Sequence, residues 1–373
     1  MAREKFDRQK PYNGLPYLPP SVDIDNNPAI LKRLVAASRA LATVNGNLNR
    51  LPNPLMLINT LALQEAKAST EIENIFTTED ELYKAVSETN REGEINPAIK
   101  EVLKYREALW AGFKALQINN TIDEALIIKI VNQIKETTSG YRPPQSQVVI
   151  KRGESEFRSG EVIYTPPRAE GTIYKLMENL IEYLNNDVLY PTDPLLKMCV
   201  AHYQFEAIHP FQDGNGRTGR IVNLLYLFSK GLLSQPVLYL SKYIILNKED
   251  YYYNLGAVTQ RNSWEAWVDF MLEATEKTAV STNNRINNIL IQMDATLAHG
   301  REKINWYNKE INEAIFSQPY IKPKIIGNVL GKTSRTTLTK YMNELVNHNI
   351  LYQKKDGVEV FYVNEDLIRI LEG

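Results

Sequence analysis

The chain has one cysteine in 373 residues, Cys199. That excludes an intramolecular disulfide and any zinc site built on several thiolates. Cys199 falls inside an apolar helical pattern, where a thiol reads as buried and inert. No apolar run approaches the ~18 residues needed to cross a bilayer. The first residues, MAREKFDRQK, lack the apolar core of a signal peptide. The expected location is the cytoplasm, with no membrane partner. Charge is scarce in net terms too, at −1. There is no global pull toward nucleic acid or anionic lipid, and any basic surface has to be local. Internal repeats and low-complexity tracts are also missing.

What is present is an ordinary globular composition: 43% hydrophobic, 23% charged and 9% aromatic. Such a chain can bury a real core, and its length suits two or three domains. Residues 1–28 carry Pro11, Pro16, Pro19, Pro20 and Pro28 with Tyr12 and Tyr17, which reads as an extended, packed leader. Two helices follow between 28 and 74, the first with Leu31, Leu34 and Val35 on one face, punctuated by Gly46 and the Pro52–Pro54 pair. Further helices are predicted at about 79–90, 97–117, 121–138, 170–186, 194–208, 248–260 and 263–297, with Asn96–Pro97, Thr121 and Asp193–Pro194 as starts. The stripe of 194–208 is Leu196, Cys199, Val200 and Tyr203. Residues 147–166 break the pattern, with β-prone Val148–Ile150 and Val162–Tyr164 around a polar, glycine-containing segment. They predict a β-hairpin.

The chemistry concentrates in His209–Arg220, HPFQDGNGRTGR. Asp213, Gly214, Asn215 and Gly216 join two helices, the second marked by Ile221, Leu224, Leu225 and Phe228 and closed by Gly231. The glycines let the backbone turn and a ligand approach closely. A helix beginning near Gly216 aims its unpaired N–H groups and its dipole into the loop, which suits phosphate. Arg217 and Arg220 lie three apart in the first turn, where they oppose the dipole unless an anion is bound. Asp213 adds a hard carboxylate suited to Mg²⁺ between phosphates. His209 is an imidazole suited to act as base on a hydroxyl.

This segment resembles the signature of the Fic family, H-x-F-x-D/E-G-N-G-R-x-x-R, at every defined position. The resemblance implies a mainly α protein: a Fic-type helical bundle with a β-hairpin flap, expected here at 147–166. It also implies transfer of AMP from ATP to a Tyr, Thr or Ser hydroxyl of a target protein, with the chain itself among the targets. His209 would be the catalytic base and Asp213 the Mg²⁺ ligand. The nucleotide contacts would run through Gly214, Asn215, Gly216, Arg217, Thr218, Gly219 and Arg220, with Arg220 facing the γ-phosphate. Tyr252, in the stretch YYYN at 251–254, resembles the family's adenine-side helix. A second family pattern, S/T-x-x-x-E-G/N, matches Ser69 to Asn74. Ser69 and Glu73 fall on one helix face, and the resemblance implies that Glu73 pairs with Arg220 and inhibits the enzyme.

From about 300 the organisation changes. Short helices are predicted at 308–316 and 323–330, a longer one at Ser334–Asn347, then a hairpin with its turn at Asp356–Gly357. That is the order of a winged helix-turn-helix. Lys322, Lys324, Lys332, Arg335 and Lys340 come with no acid between them, so DNA and protein both stand as partners for it, and a homodimer stays open. The expected division is an N-terminal arm and inhibitory helix at 1–96, a catalytic core at 97–300 and the winged helix at 301–373. Two rival functions remain at this stage. One is a related reaction on the same fold, either removal of AMP from a modified protein or transfer of another phosphate-containing group. The other is a transcription regulator whose core senses nucleotide.

Overall fold

The computed structural model describes residues 6–372 apart from 49, 52–53, 88–95, 156–157, 333 and 357–358. The chain runs from an extended arm into α1 (Pro28–Leu48), α2 (Pro54–Ile72), α3 (Glu79–Ser87), α4 (Pro97–Ile118) and α5 (Glu124–Lys135). A two-stranded antiparallel hairpin follows, β1 (Ile150–Ser155) and β2 (Arg158–Tyr164). Then come α6 (Thr172–Asn185), α7 (Pro194–Ile208), α8 (Asn215–Ser229), α9 (Leu240–Leu246), α10 (Lys248–Arg261) and α11 (Trp264–Lys303). The C-terminal elements are α12 (Lys309–Ile315), β3 (Tyr320–Ile321), α13 (Pro323–Leu330), α14 (Arg335–Asn347), β4 (Tyr352–Asp356), β5 (Glu359–Val363) and α15 (Glu365–Glu372).

Local chemistry explains most of the boundaries. Asn96 accepts from the Ala98 N–H at 2.9 Å ahead of Pro97, and Asp193 accepts from the Leu195 N–H at 2.8 Å ahead of Pro194. Each side chain satisfies an orphan donor of its helix, worth about 1 kcal/mol. α5 starts later than expected, because Asp123 rather than Thr121 caps it, accepting from the Leu126 N–H at 2.8 Å. A carboxylate two residues on wins over the weaker threonine cap. Residues 88–90 and Gly357 of the expected turn lie outside the described residues.

The core corrects two expected faces. α1 buries Ile30, Leu34, Ala37, Leu41, Val44 and Leu48, while Leu31 and Val35 are exposed. Small Ala37, at 0% exposure, marks where α1 lies against α11. Arg33 reinforces that seam from α1, reaching Asp269 at 2.9 Å, Glu276 at 3.4 Å and Glu273 at 3.7 Å. α7 has no single stripe, since every residue from Leu195 to Ile208 is buried. It is the central helix, walled by α6, α8 and α11, and the Trp267 indole of α11 donates to the Cys199 carbonyl at 2.8 Å. Close approach is forced at Gly112 of α4, where a Cβ would stand 2.4 Å from Leu225 of α8. A larger residue there would have to displace the Leu225 side chain on the helix that follows the glycine-rich loop.

Three elements were invisible in the sequence: α9, α15 and β3. β3 pairs with β5, so the C-terminal sheet has the order β3-β5-β4. With α12, α13 and α14 this gives the element order of a winged helix-turn-helix. α11 carries this unit, with α12 and α15 packed on its distal half. At 40 residues it is about 60 Å long.

Candidate active site

α7 ends and α8 begins around the loop singled out in the sequence. His209 caps α7 in the left-handed region, at φ 49. That conformation costs a non-glycine residue about 1 kcal/mol or more and persists only when its surroundings hold it. Arg142 does the holding. Its guanidinium, buried in the loop after α5, donates to the carbonyls of His209 (2.7 Å), Pro167 (2.6 Å) and Ile208 (3.3 Å). Burial, with the Arg142 charge second, pushes the His209 pKa down to about 4. The imidazole is therefore neutral near pH 7, the form a general base requires.

Gly214 takes φ 81 as N-cap of α8 and offers no side chain to the helix. The first intrahelical bond of this turn is Thr218 N–H to the Gly214 carbonyl, 3.0 Å. The N–H groups ahead of it face the loop with the positive end of the dipole behind them, an anion-binding arrangement. Asn215 also serves the loop itself. Both ends of its side chain are used on Phe211, accepting from the N–H at 2.8 Å and donating to the carbonyl at 2.9 Å. The side chain braces the loop and keeps the second N–H of its amide for a phosphate. Among the described residues, buried His209 Nδ1, Arg217 Nε, Thr218 Oγ1 and Glu206 Oε1 have no hydrogen-bond partner. Such a cluster marks a place where a polar ligand completes the set.

The two arginines point to different carboxylates. Arg217 pairs with Glu101 of α4. Arg220, 2% exposed, donates from Nε to the Ser69 hydroxyl (2.8 Å), and from Nη2 both to the Ser69 carbonyl (2.9 Å) and to Glu73 Oε1 (2.8 Å). The structure thus brings Ser69, Glu73 and Arg220 together across 147 to 151 residues of chain. Burial opposes the charge on Glu73, but Arg220, then Arg217 and His209, hold its carboxyl below the usual range. Gly216 is needed at this contact, since a Cβ there would stand 2.5 Å from Glu73 Oε1. Gly219 likewise admits Glu206, whose Oε1 would be 2.5 Å from a Cβ. Tyr252 is partly exposed on α10, edge-on to Tyr251, and the charges of Glu73 and Arg220 act on its hydroxyl.

Several partners carried no local sequence signal. Lys248, the first residue of α10, donates to the Ile72 carbonyl (2.7 Å) and to Asn74 (3.2 Å), tying down the end of α2. Glu65, two turns before Glu73, is fully buried and accepts from the Ser241 N–H (2.9 Å), the Ser241 hydroxyl and Tyr105 (3.2 Å). Glu206 sits one turn before His209. Burial pushes both carboxyls up to about 7. A raised folded-state pKa means stability that is complete below the unfolded value and is lost as pH rises through the folded one. For Glu206 the window runs from the ordinary 4.5 to about 7. Glu206→Gln keeps the shape of the protonated carboxyl without titrating. It should shrink the drop in melting temperature between pH 6 and pH 8 by a few degrees. An unchanged drop in thermal scans would contradict the assignment.

The hairpin β1–β2 is joined to this centre at its base, where the Tyr164 hydroxyl donates to the Ala207 carbonyl at 2.8 Å. The proline-rich arm supports it: the Tyr12 N–H donates to the Thr165 carbonyl (3.0 Å), and Phe6, Tyr12 and Tyr164 form one aromatic cluster. Asp213, with its side chain 64% exposed, meets Lys135 Nζ at 2.6 Å. Burial raises its pKa, but Lys135 outweighs this and lowers it. Among the described residues no group of three or more His, Cys, Asp or Glu could hold a metal. A divalent ion at Asp213 would therefore draw its other ligands from phosphates, as Mg²⁺ commonly does. Asp213 would have to exchange Lys135 for such an ion, and its exposure leaves room for that.

Comparison with known proteins gives three successive matches. Residues 31–114 match the N-terminal domain of the Fic/DOC family, and 121–227 match the Fic/DOC family itself. Residues 292–367 match the C-terminal domain of SoFic-like protein adenylyltransferases. The chain is 30% identical over 160 residues to the protein adenylyltransferase Fic of Drosophila erecta, covering 42% of this chain and 30% of that protein. It is 28% identical over 200 residues to a probable protein adenylyltransferase of Aquifex aeolicus, covering 52% and 56%. The match thus spans about a third of the length of the insect relative. Among solved structures, a Fic family protein from Desulfovibrio desulfuricans G20 aligns with a TM-score of 0.57 at 22% identity, over 93% of this chain and 98% of that one. A Fic-domain signalling protein from Bacteroides thetaiotaomicron aligns at 0.52 and 16% identity, over 69% and 97%. At these identities the structures speak to the fold alone.

Proposed function

The chain belongs to the Fic/DOC family, and from that premise we propose that it is a protein adenylyltransferase held in check by its own α2. The observation that carries this reading is the convergence on one loop of a neutral His209, an uncapped helix N-terminus and Arg220 paired with Glu73. In the proposed reaction a Ser, Thr or Tyr hydroxyl of a target protein attacks the α-phosphorus of ATP. His209 takes the hydroxyl proton, the bond to the β-phosphate oxygen breaks, and pyrophosphate leaves. The backbone of Gly214 to Arg217 would cradle phosphate oxygens. Arg217 and Arg220 would grip others after exchanging Glu101 and Glu73 for them. Mg²⁺, held by Asp213 and the phosphates, would neutralise charge developing on the leaving group. The hairpin would line the target's path, and Tyr252 would stand on the adenine side.

ATP labelled at the α- or the γ-phosphate tests the reading on the purified chain mixed with candidate targets. Protein-bound α-label with no γ-label is the expected result. γ-label on protein, or no label on any protein from a chain freed of Glu73, would overturn it.

A further inference from the structure

The winged-helix unit meets the rest of the molecule through particular elements. Asp80 of α3 pairs with Lys354 of β4 at 2.6 Å and accepts from the Tyr320 hydroxyl of β3. Gln64 of α2 donates to the Leu371 carbonyl of α15 at 3.0 Å. These contacts use β3, β4 and α15, and they leave one face of α14 open. On that face Arg335, Thr336, Thr339, Lys340, Asn343 and Asn347 are all exposed, while Met342 and Leu345 are buried on the other side. The spacing follows one side of a helix. Every exposed group is a hydrogen-bond donor or a cation, and none is a carboxylate or a large apolar side chain.

Charge on this face is of one sign. From Lys322 to Asn343 there are five cations and no acid. Lys324, Lys332, Arg335 and Lys340 are exposed, and among the described residues none of them enters an ion pair. The first acid beyond them, Glu344, is taken by the Trp306 indole at 2.8 Å. A helix 13 residues long spans about 20 Å and fits a major groove about 12 Å wide. Threonine and asparagine beside arginine and lysine are residue types that contact base edges and phosphates. Half-buried Trp306, Tyr341 and Glu344 border the same face, but its exposed charged groups are cationic, and a second copy of this chain would set like charges against each other.

We propose that the exposed face of α14 is a docking surface for double-stranded DNA, entered through the major groove and flanked by Lys324 and Lys332. The test uses the full chain and a fluorescein-labelled mixed-sequence duplex of about 25 base pairs, enough to present two turns of groove. Fluorescence anisotropy should show binding at about 50 mM salt that weakens roughly a hundredfold by about 200 mM, the slope expected for some four phosphate contacts. R335E/K340E should lose at least tenfold affinity with an unchanged circular dichroism spectrum, whereas K175E, on α6, should bind as the parent does. No binding at the lower salt, equal binding by R335E/K340E, or preference for a single-stranded RNA of equal length would overturn the proposal. So would light scattering showing a dimer that R335E/K340E dissolves.

Discussion

His209→Ala is expected to cut AMP transfer by about 10²–10⁴-fold, the usual worth of a positioned general base, while nucleotide affinity changes little. The affinity should survive because the proposed phosphate contacts come from α8 and the two arginines, which among the described residues bond to Glu101, Ser69 and Glu73 and not to His209. The backbone complicates the reading, however. His209 stands at φ 49, where alanine is strained and asparagine is tolerated. Alanine could lose activity by letting the loop relax. His209→Asn separates the two causes: it keeps the left-handed cap and removes the base. Both variants should fall together in turnover, with the asparagine form melting close to the parent. Activity retained by the asparagine variant would reduce His209 to a structural cap.

The contrast between what was legible in the sequence and what was not has a physical pattern. HPFQDGNGRTGR is contiguous, and each residue type has a use that follows from its position at a helix N-terminus. α4 and α7 announce themselves through caps and prolines, and α8 through its apolar repeat. Arg142, Glu101, Lys248, Glu65 and Glu206 carry no such signal, because each acquires its role from partners brought close only by the fold. Asn215 has a second use that its type did not announce. Its type and place suit a phosphate contact, but the loop itself has two unsatisfied groups at Phe211, and the nearest amide takes both. The phase of α1 was misread for a related reason. Ala37 contributes little to an apolar pattern, yet a small side chain lets α1 lie close to α11. A seven-residue α9 and a two-residue β3 are too short for periodicity to register.

Glu73→Gly is expected to raise the initial rate of AMP transfer on the order of 10–100-fold, within the ~1–3 kcal/mol typical of coupling between competing sites. The removed carboxylate frees one N–H of Arg220 Nη2, and the guanidinium keeps its bonds to the Ser69 hydroxyl and carbonyl and so stays aimed at the loop. Negative charge also leaves the position that a terminal phosphate would occupy. The fold should tolerate the change, since α2 ends at Ile72 and residue 73 carries no helical interior. Mild acid should not imitate the mutation. Arg220 holds the Glu73 carboxyl below its ordinary range, so lowering pH from 7 to 5.5 leaves it ionised and the parent still restrained. If Glu73→Gly transfers AMP no faster than the parent, the ion pair is a structural contact and not a brake. If it instead accumulates modified protein only because release of AMP from premodified protein stops, Glu73 serves hydrolysis. Initial rates of both directions, measured on the same preparation, distinguish the two outcomes.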